Sequence, residues 1–389
     1  MVINFPLYWR VLSKSFFGSK GTYSTLHPRR IGFLLIFLVV WPIYQAITWF
    51  FLMLDEVLFP AYRSQPIEKP MFIIGNFRSG STFLHRLLSR DIRTFTSMRT
   101  VDIFLMPSIT QRKVFRFFSS LDIKVGSPLT KGLRGVDNRS LGKVQIHKIS
   151  MFDPEEDENI LFHTWSTFFV SFLFPFLEDL PPYERFDEQI PLSEQERIMA
   201  FYRSCIQRHL YANGGKFHFV SKSPAASGKI RSLLKTFPDA RMIYLARDPM
   251  DMLPSTVSWL SYAWNMFSET GQKYIYQKWI SELAQYWYSY PLMVIDEVVE
   301  NCKVINYDDL ITSPEKVIRA IYMEMGYHTS PGLKKTIKRA VAETNSYISE
   351  HKYDLEQMGI DRQQVLATFK PVYDRFLFKA FSDTKPENF

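Results

Sequence analysis

The stretch IIGNFRSGSTFLHRLL, residues 73–88, constrains the fold more than any other part of the chain. It runs from an apolar strand through a turn rich in glycine and serine into a helix, which is the layout of a phosphate-binding loop. On the register G-x-x-x-x-G-K-[ST] the sequence supplies Gly75, Gly80 and Thr82, but Ser81 stands where the lysine belongs. The pattern predicts an anion-binding turn for a ligand less charged than a β,γ-triphosphate, and it argues against magnesium-dependent nucleotide hydrolysis.

Short apolar runs alternate with helical patterns along the rest of the chain. Strands are predicted at 71–75, 217–221, 241–246 and 303–307, and helices follow at 81–90, 226–236, 250–262 and 314–325. Continuous apolar strands that alternate with helices indicate a central parallel sheet covered on both faces. We therefore predict an α/β, three-layer sandwich like that of the P-loop proteins, with ligands at the carboxyl ends of the strands.

An uncharged apolar segment, residues 31–54, precedes this domain. It is long enough to cross a bilayer, although Pro42, Gln45 and Thr48 leave open a kinked hairpin or a helix within one leaflet. The preceding arm, residues 1–30, is basic and contains no acidic residue. We predict membrane association. The main domain would stay on the cytosolic face if the segment lies flat, and a lumenal, Golgi-type placement follows if it spans with the amino terminus inside.

The remaining organisation follows from composition. Residues 55–70 form a proline-containing linker, and residues 71–389 form the main domain with a mainly helical insertion at about 92–215. The chain has a net charge of +8 but no dense basic run with interleaved aromatic residues, so we do not expect nucleic acid as a partner. Its two cysteines exclude a disulfide framework and a cysteine metal cluster.

Within the insertion, a phenylalanine-rich segment at 160–180 has two interpretations. It either forms a buried helix pair or presents an aromatic wall to lipid or to a lipid-like acceptor. The acidic run DPEEDE at 153–158 precedes it. Five acids in six residues can raise the pKa of one of them by mutual repulsion, but the run could equally be a solvated turn.

Two stretches carry candidate phosphate-binding groups. At the turn of residues 76–82, backbone N–H groups lie at the positive end of a helix dipole. The Arg78 guanidinium and the hydroxyls of Ser79, Ser81 and Thr82 lie beside them. In RMIYLARDPMDMLPSTVSWL, Arg247 ends a strand and Ser255 follows eight residues later within a helix. Together the two stretches describe a nucleotide that has two separate phosphate groups.

These stretches carry a family resemblance. GNFRSGSTFL resembles the 5′-phosphosulfate loop of sulfotransferases, and IYLARDPMDMLPSTVS resembles their 3′-phosphate element. The chain is similar to the family that uses 3′-phosphoadenosine-5′-phosphosulfate (PAPS), nearest its tyrosylprotein-sulfotransferase-like and bacterial branch, over residues 70–90 and 215–330. The resemblance implies metal-free sulfuryl transfer to a hydroxyl. The apolar segment and the phenylalanine-rich insertion favour a lipid, glycolipid or isoprenoid acceptor.

The resemblance also implies residue roles. Arg247 and Ser255 would bind the 3′-phosphate, and Lys222, in VSKSP, would neutralise the charge that develops on the leaving phosphate. The loop residues that would bind the 5′-phosphosulfate are Arg78, Ser79, Gly80, Ser81 and Thr82. The Arg-Lys-Gly…Gly-Asp-Trp element near the carboxyl terminus of the cytosolic sulfotransferases is absent, so the contacts on that side of the nucleotide are not assigned.

The general base is the least defined part of this prediction. The family's Lys-Thr-His is replaced here by Lys222-Ser223-Pro224, so the catalytic histidine is missing. In the tyrosylprotein-like branch a carboxylate shortly after the first helix takes the proton. Asp102 is the nearest acid in that place and ranks first, followed by Glu156 and then His147.

Two other functions remain open from the sequence. One is a P-loop kinase or NTPase with an altered loop, and the other is a catalytically inactive membrane scaffold.

Overall fold

A single parallel sheet organises the main domain. The computed structural model of the chain describes residues 3–124, 150–267, 274–330, 332–344, 355–376 and 378. Five strands pair in the order β2-β3-β1-β4-β5, and every pairing is parallel. They are β1 (Met71–Gly75), β2 (Phe95–Thr96), β3 (His218–Lys222), β4 (Arg241–Ala246) and β5 (Cys302–Asn306).

The predicted α/β fold is confirmed, and the four predicted strands lie within one residue of those observed. The edge strand β2 was not predicted, because two residues carry no periodicity.

Helices cover both faces of this sheet. Among the described residues the α-helices are α1 (Phe5–Phe17), α2 (Pro28–Leu58), α3 (Ser81–Leu88), α4 (Thr100–Phe104), α5 (Ile109–Lys124), α6 (Val170–Leu173), α7 (Phe186–Gln189), α8 (Leu192–Ala212), α9 (Ile230–Thr236), α10 (Pro249–Phe267), α11 (Gln277–Glu297), α12 (Tyr307–Thr312), α13 (Pro314–Met325), α14 (Leu333–Thr344), α15 (Arg362–Thr368) and α16 (Lys370–Phe376). Short 3-10 helices lie at Pro60–Ser64, Asp157–Thr164, Leu177–Asp179, Tyr183–Arg185, Pro224–Gly228 and Val299–Asn301.

The strands separate two hydrophobic cores. Because successive side chains of a strand point to opposite faces, Phe72 and Ile74 enter the larger core, which contains residues of α8 to α11. Met71 and Ile73 enter the smaller core, which contains residues of α3, α13 and α14. All four side chains are fully buried. The sheet with a helical layer on each face is the predicted three-layer sandwich.

The position of β1 brings the carboxyl ends of three strands together. It lies between β3 and β4, so later strands of the chain are added on both sides of it. Ile73 pairs with Lys222 of β3, and Gly75 pairs with Leu245 of β4. Neighbouring strands are about 4.8 Å apart, so groups at the ends of β3 and β4 flank the loop after β1 at about 5 Å on either side. Ligands of open α/β sheets bind at this kind of switch point.

The apolar segment is one continuous helix, α2, with Pro42 inside it. A kinked hairpin is therefore excluded. The helix extends through residues 55–58, the start of the predicted linker, and Asp55 is fully buried at its end. The Asp55 carboxylate accepts the backbone N–H groups of Ile109 and Thr110 at the start of α5, at 2.7 and 2.9 Å, and pairs with Arg208. These contacts join the end of α2 to the main domain.

The phenylalanine-rich segment belongs to the core. Trp165, Phe168, Phe169 and Phe174 are each at most 3% exposed and lie in the larger core cluster. The segment is not a helix pair, because it consists of parts of two 3-10 helices, the one-turn helix α6 and irregular chain. The interpretation as a lipid-facing aromatic wall is wrong: these rings are needed to fill the space between the sheet and the amino-terminal helices.

Candidate active site

The loop after β1 is shaped by two glycines whose backbone conformations side chains rarely adopt. Gly75 has φ 139°, and a Cβ there would lie 2.6 Å from the Leu245 carbonyl oxygen. Gly80 has φ 85°, and a Cβ there would meet the Tyr307 ring at 2.8 Å. Gly80 also precedes the first residue of α3, Ser81. The loop therefore passes close to the neighbouring chain and presents the amino terminus of α3 at the edge of the sheet.

Arg78 stands at the tip of this loop in a strained conformation. Its φ is 63°, in the left-handed region that residues other than glycine seldom occupy. Its Nε donates to the Ser255 Oγ at 2.9 Å. Its carbonyl oxygen accepts a hydrogen bond from Nη1 of Arg247 at 2.7 Å. The structure thus brings Arg78, Arg247 and Ser255 together, as the two sequence stretches predict.

Arg247 is held in place by an aromatic ring. Its guanidinium lies over the Tyr307 ring at 4.2 Å from the centroid, and Tyr307 follows β5 directly. The Arg247 Nε and the fully buried Ser79 Oγ have no hydrogen-bond partner among the described residues. Buried polar groups are normally satisfied, so an unpaired N–H and an unpaired hydroxyl in one loop region fit an anionic ligand such as phosphosulfate. Ser81 and Thr82 start α3 within the same region.

On the other side of the loop, Lys222 ends β3 beside two carboxylates. Its Nζ lies 2.7 Å from Oε1 of Glu156 and 3.7 Å from Oε1 of Glu155. The Lys222 side chain is 1% exposed, and each glutamate side chain is 11% exposed. The acidic run is therefore not the solvated turn that the sequence left open. It forms a nearly buried cluster of one ammonium and two carboxylates.

Further acids of the same run hold this cluster rigid. Asp157 accepts the Lys222 backbone N–H at 3.2 Å and the Tyr202 hydroxyl. Burial raises the pKa of Asp157 to about 6, although these hydrogen bonds oppose the shift. Glu158 pairs with Lys229 at 2.7 Å and accepts the Ser223 hydroxyl at 2.8 Å. The run at 153–158 thus fixes both the backbone and the side chain at the end of β3.

Asp102, the first-ranked base, makes a different set of contacts. Its carboxylate accepts Nε and Nη2 of Arg99 at 2.8 and 3.1 Å, and Arg112 lies at 3.9 Å. It also accepts the Arg99 backbone N–H and so caps α4. Burial alone would raise the pKa of Asp102, but the Arg112 and Arg99 guanidinium groups outweigh it and hold the pKa well below its usual range. Such a carboxylate is a poor proton acceptor at neutral pH.

Two histidines complete the candidates. His147, the third-ranked base, lies outside the described residues. His85 was not predicted, yet it lies one turn into α3, and its Nε2 is 3.0 Å from the Ser97 Oγ. Burial, reinforced by the nearby Lys222 ammonium, lowers the pKa of His85 to about 3, so its imidazole is neutral. In the sequence, the only indication that His85 belongs to this region is its position four residues after Ser81, which places both residues on one face of α3.

Comparisons with known proteins find a family and relatives for this chain. A family model described as "Sulfotransferase family" matches residues 70–331. A curated relative, the omega-hydroxy-beta-dihydromenaquinone-9 sulfotransferase Stf3 of Mycobacterium tuberculosis, is 24% identical over 305 residues, which is 75% of this chain and 72% of the relative. The same protein of Mycobacterium bovis matches equally.

Two solved structures share the fold. Sulfotransferase STF9 from Mycobacterium avium has a TM-score of 0.65 at 20% identity, covering 82% of this chain and 79% of its own. Sulfotransferase STF1 from Mycobacterium tuberculosis has a TM-score of 0.63 at 17% identity, covering 94% of this chain and 92% of its own. At this level of identity the similarity shows a common fold.

Proposed function

The chain belongs to the sulfotransferase family, and from that premise we propose that this enzyme moves a sulfuryl group from PAPS to the hydroxyl of a lipid-like acceptor. The observation that carries the proposal is the convergence of Arg78, Arg247 and Ser255 on one side of the loop with Lys222 on the other. PAPS is the donor that the family implies. The family assignment supports neither the P-loop kinase nor the inactive scaffold as an alternative.

We assign the donor-binding groups by position. Arg247 and Ser255 bind the 3′-phosphate, because the arginine supplies a planar set of donors at the end of β4 and the serine a hydroxyl one and a half turns into α10. The 5′-phosphosulfate is held by the loop, through its backbone N–H groups, the Arg78 guanidinium and the hydroxyls of Ser79, Ser81 and Thr82. Gly80 permits the backbone to take this course.

Lys222 and Glu156 have complementary tasks in the transfer. The acceptor oxygen forms a bond to sulfur while the bond from sulfur to the phosphate oxygen breaks, so negative charge develops on the leaving phosphate. The Lys222 ammonium stabilises that charge. The acceptor proton passes to a carboxylate, and we assign this role to Glu156 because its carboxylate lies beside Lys222, the group that meets the leaving phosphate, whereas Asp102 pairs with Arg99 and Arg112. Asp102 keeps a structural role at the start of α4.

Two features support a lipid-like acceptor. The curated relative is named for an omega-hydroxylated menaquinone derivative. Such a molecule carries a hydroxyl on a long isoprenoid chain. Helix α2 has the length and apolar composition of a membrane segment, and only 17% of its most apolar window is buried. A mainly exposed apolar helix is not a core helix of a soluble protein. Association with a membrane would bring the enzyme to such an acceptor.

The acceptor class is tested by transfer of radiolabelled sulfate from PAPS. We expect label to enter the organic phase when the enzyme receives an omega-hydroxylated isoprenoid quinone or a polyprenol in mixed micelles. Soluble sugars and tyrosine peptides are the comparison, and they should give at least tenfold less product. The lipid proposal is refuted if only the soluble acceptors are labelled, whereas the family assignment would still stand.

A further inference from the structure

Helix α2 carries one continuous exposed apolar face. Side chains that are at least half exposed recur three or four residues apart along it, so they lie on one side of the helix. The large apolar ones between residues 36 and 53 are Ile36, Val39, Val40, Ile43, Ile47, Phe50 and Met53, with exposures from 50% to 67%. A contiguous apolar surface of this length is unusual on a soluble monomer and marks an interaction site.

The opposite face of α2 is bound to the main domain along its whole length. Arg30 donates to the Leu173 carbonyl at 2.8 Å near one end, and Asp55 accepts the Ile109 N–H at the other. Between them, the Tyr44 hydroxyl donates to the Phe104 carbonyl, and Trp49 Nε1 donates to the His163 carbonyl at 3.3 Å. These contacts extend over about 38 Å of helix, at 1.5 Å per residue.

This attachment is incompatible with a helix that spans a bilayer. His163, which contacts the middle of α2, lies in the last turn of the 3-10 helix that begins with Asp157 and Glu158. Phe104, the other contact at the middle, ends the short helix that contains the ion-paired Asp102. If α2 crossed the membrane, these charged groups would lie at the depth of the hydrocarbon, where charges are costly. If α2 lies in the plane of the membrane, only its exposed face enters the lipid.

The charges around this face fit an anionic membrane surface. Residues 1–54 contain five basic residues and no acidic one. Arg10 and Lys20 are exposed on and just after α1, and Arg29 is exposed at the start of α2. Helix α1 packs its Tyr8 ring against Phe37 of α2 and leaves Trp9 61% exposed. An exposed tryptophan next to basic side chains is typical of helices at the interface between lipid and water.

We propose that α2 and α1 form an in-plane docking surface for a bilayer with anionic headgroups, so that the described domain lies on the same side of the membrane as the amino terminus. This inference rests on the packing of α2 and does not depend on the lipid acceptor. It places the membrane on the side of the domain where Gln45 of α2 contacts His163, in the 3-10 helix that starts beside Glu156 of the site.

Spin labels along the exposed face of α2 test this orientation. Ile36→Cys, Ile43→Cys and Phe50→Cys are 58% to 64% exposed in the native protein and seven residues apart, so the labels share one face. They are introduced singly into the full-length protein that carries Cys302→Ser, since Cys205 is fully buried. The protein is bound to vesicles of phosphatidylcholine and phosphatidylglycerol. Collisions with oxygen and with a water-soluble nickel complex then report the depth of each label.

The proposal predicts the same shallow depth for all three labels, and binding that falls at least tenfold on vesicles of phosphatidylcholine alone. A spanning helix would place position 43 about 10 Å deeper than the other two, at 1.5 Å per residue. That result, or labels without lipid contact because a second copy covers the face, overturns it. Met323→Cys, 71% exposed on α13, is the matched control that should stay in water. Transfer activity is measured separately, so its failure does not affect this outcome.

Discussion

Lys222→Met is expected to lower kcat for sulfuryl transfer by about 10²- to 10³-fold, which is the range for loss of one group that stabilises developing negative charge. The ammonium of Lys222 is buried at the end of β3, beside the loop that we assign to the phosphosulfate. Methionine keeps the length and apolar stem of lysine but cannot neutralise the leaving phosphate. The measurement is the rate of transfer from radiolabelled PAPS at saturating acceptor, together with a thermal melt of each variant.

Lys229→Met is the matched control for this experiment. Lys229 is also buried, and it forms an ion pair of the same length, 2.7 Å, with Glu158. Breaking either buried pair costs about 3–5 kcal/mol of stability, so both variants should melt at lower temperature. Only Lys222→Met should lose its rate in the folded fraction. Equal rates for the two variants would remove Lys222 from the proposed mechanism.

Glu156→Gln has the second large effect that we expect. Glutamine keeps the size of glutamate and an acceptor oxygen for Lys222, but it cannot take the acceptor proton. We expect kcat to fall by about 10²- to 10⁴-fold, the usual contribution of a general base, with the KM for PAPS changed only a few fold. Steady-state kinetics with both substrates separates the two parameters.

Two other acids decide whether this effect belongs to Glu156. Glu155→Gln changes the neighbouring carboxylate, which is 3.7 Å from Lys222, and should cost less than tenfold in kcat. Asp102→Asn removes the charge that pairs with Arg99 and Arg112, so we expect lower stability with kcat retained. Loss of kcat in Asp102→Asn with a normal rate in Glu156→Gln would return the base to the residue that the sequence ranked first.

The residues that we assign to the donor could be selected from the sequence because they lie at strand ends. Lys222 ends β3 and Arg247 directly follows β4, and parallel strands place their carboxyl ends at one edge of the sheet. Gly75 and Gly80 could be recognised in the sequence because their loop follows directly from a strand end. Local pattern and topology were sufficient for these residues.

The acceptor half could not be predicted in this way. Glu156 reaches Lys222 across 66 residues of sequence, through an insertion whose irregular chain has no hydrophobic period. Asp102 was ranked first from its distance along the chain. Its weakness as a base comes from Arg112, whose position depends on how α4 and α5 meet. Contacts of this kind are set by tertiary packing.

The composition of α2 likewise did not show which of its faces contacts the domain. Its two sides are equally apolar: Phe37, Trp41 and Leu52 lie on the bound side, and Ile36 and Ile43 lie on the exposed side. Hydrophobicity alone therefore does not show which face meets the protein. The polar residues at 45 and 48, which first suggested an interruption, lie among the positions that contact the domain or are buried. Only the packed structure shows which face of α2 meets the domain.

The central claim is that the loop after β1 and the end of β4 bind a nucleotide with two separate phosphate groups. Calorimetric titration with adenosine 3′,5′-bisphosphate, without magnesium, tests it most directly. We predict binding by the wild type and by Arg241→Ala, at the opposite end of β4, and about 10²-fold weaker binding by Arg247→Ala, which loses hydrogen bonds from a charged group. Unchanged affinity in Arg247→Ala, or binding of magnesium ATP in place of the bisphosphate, would contradict the account.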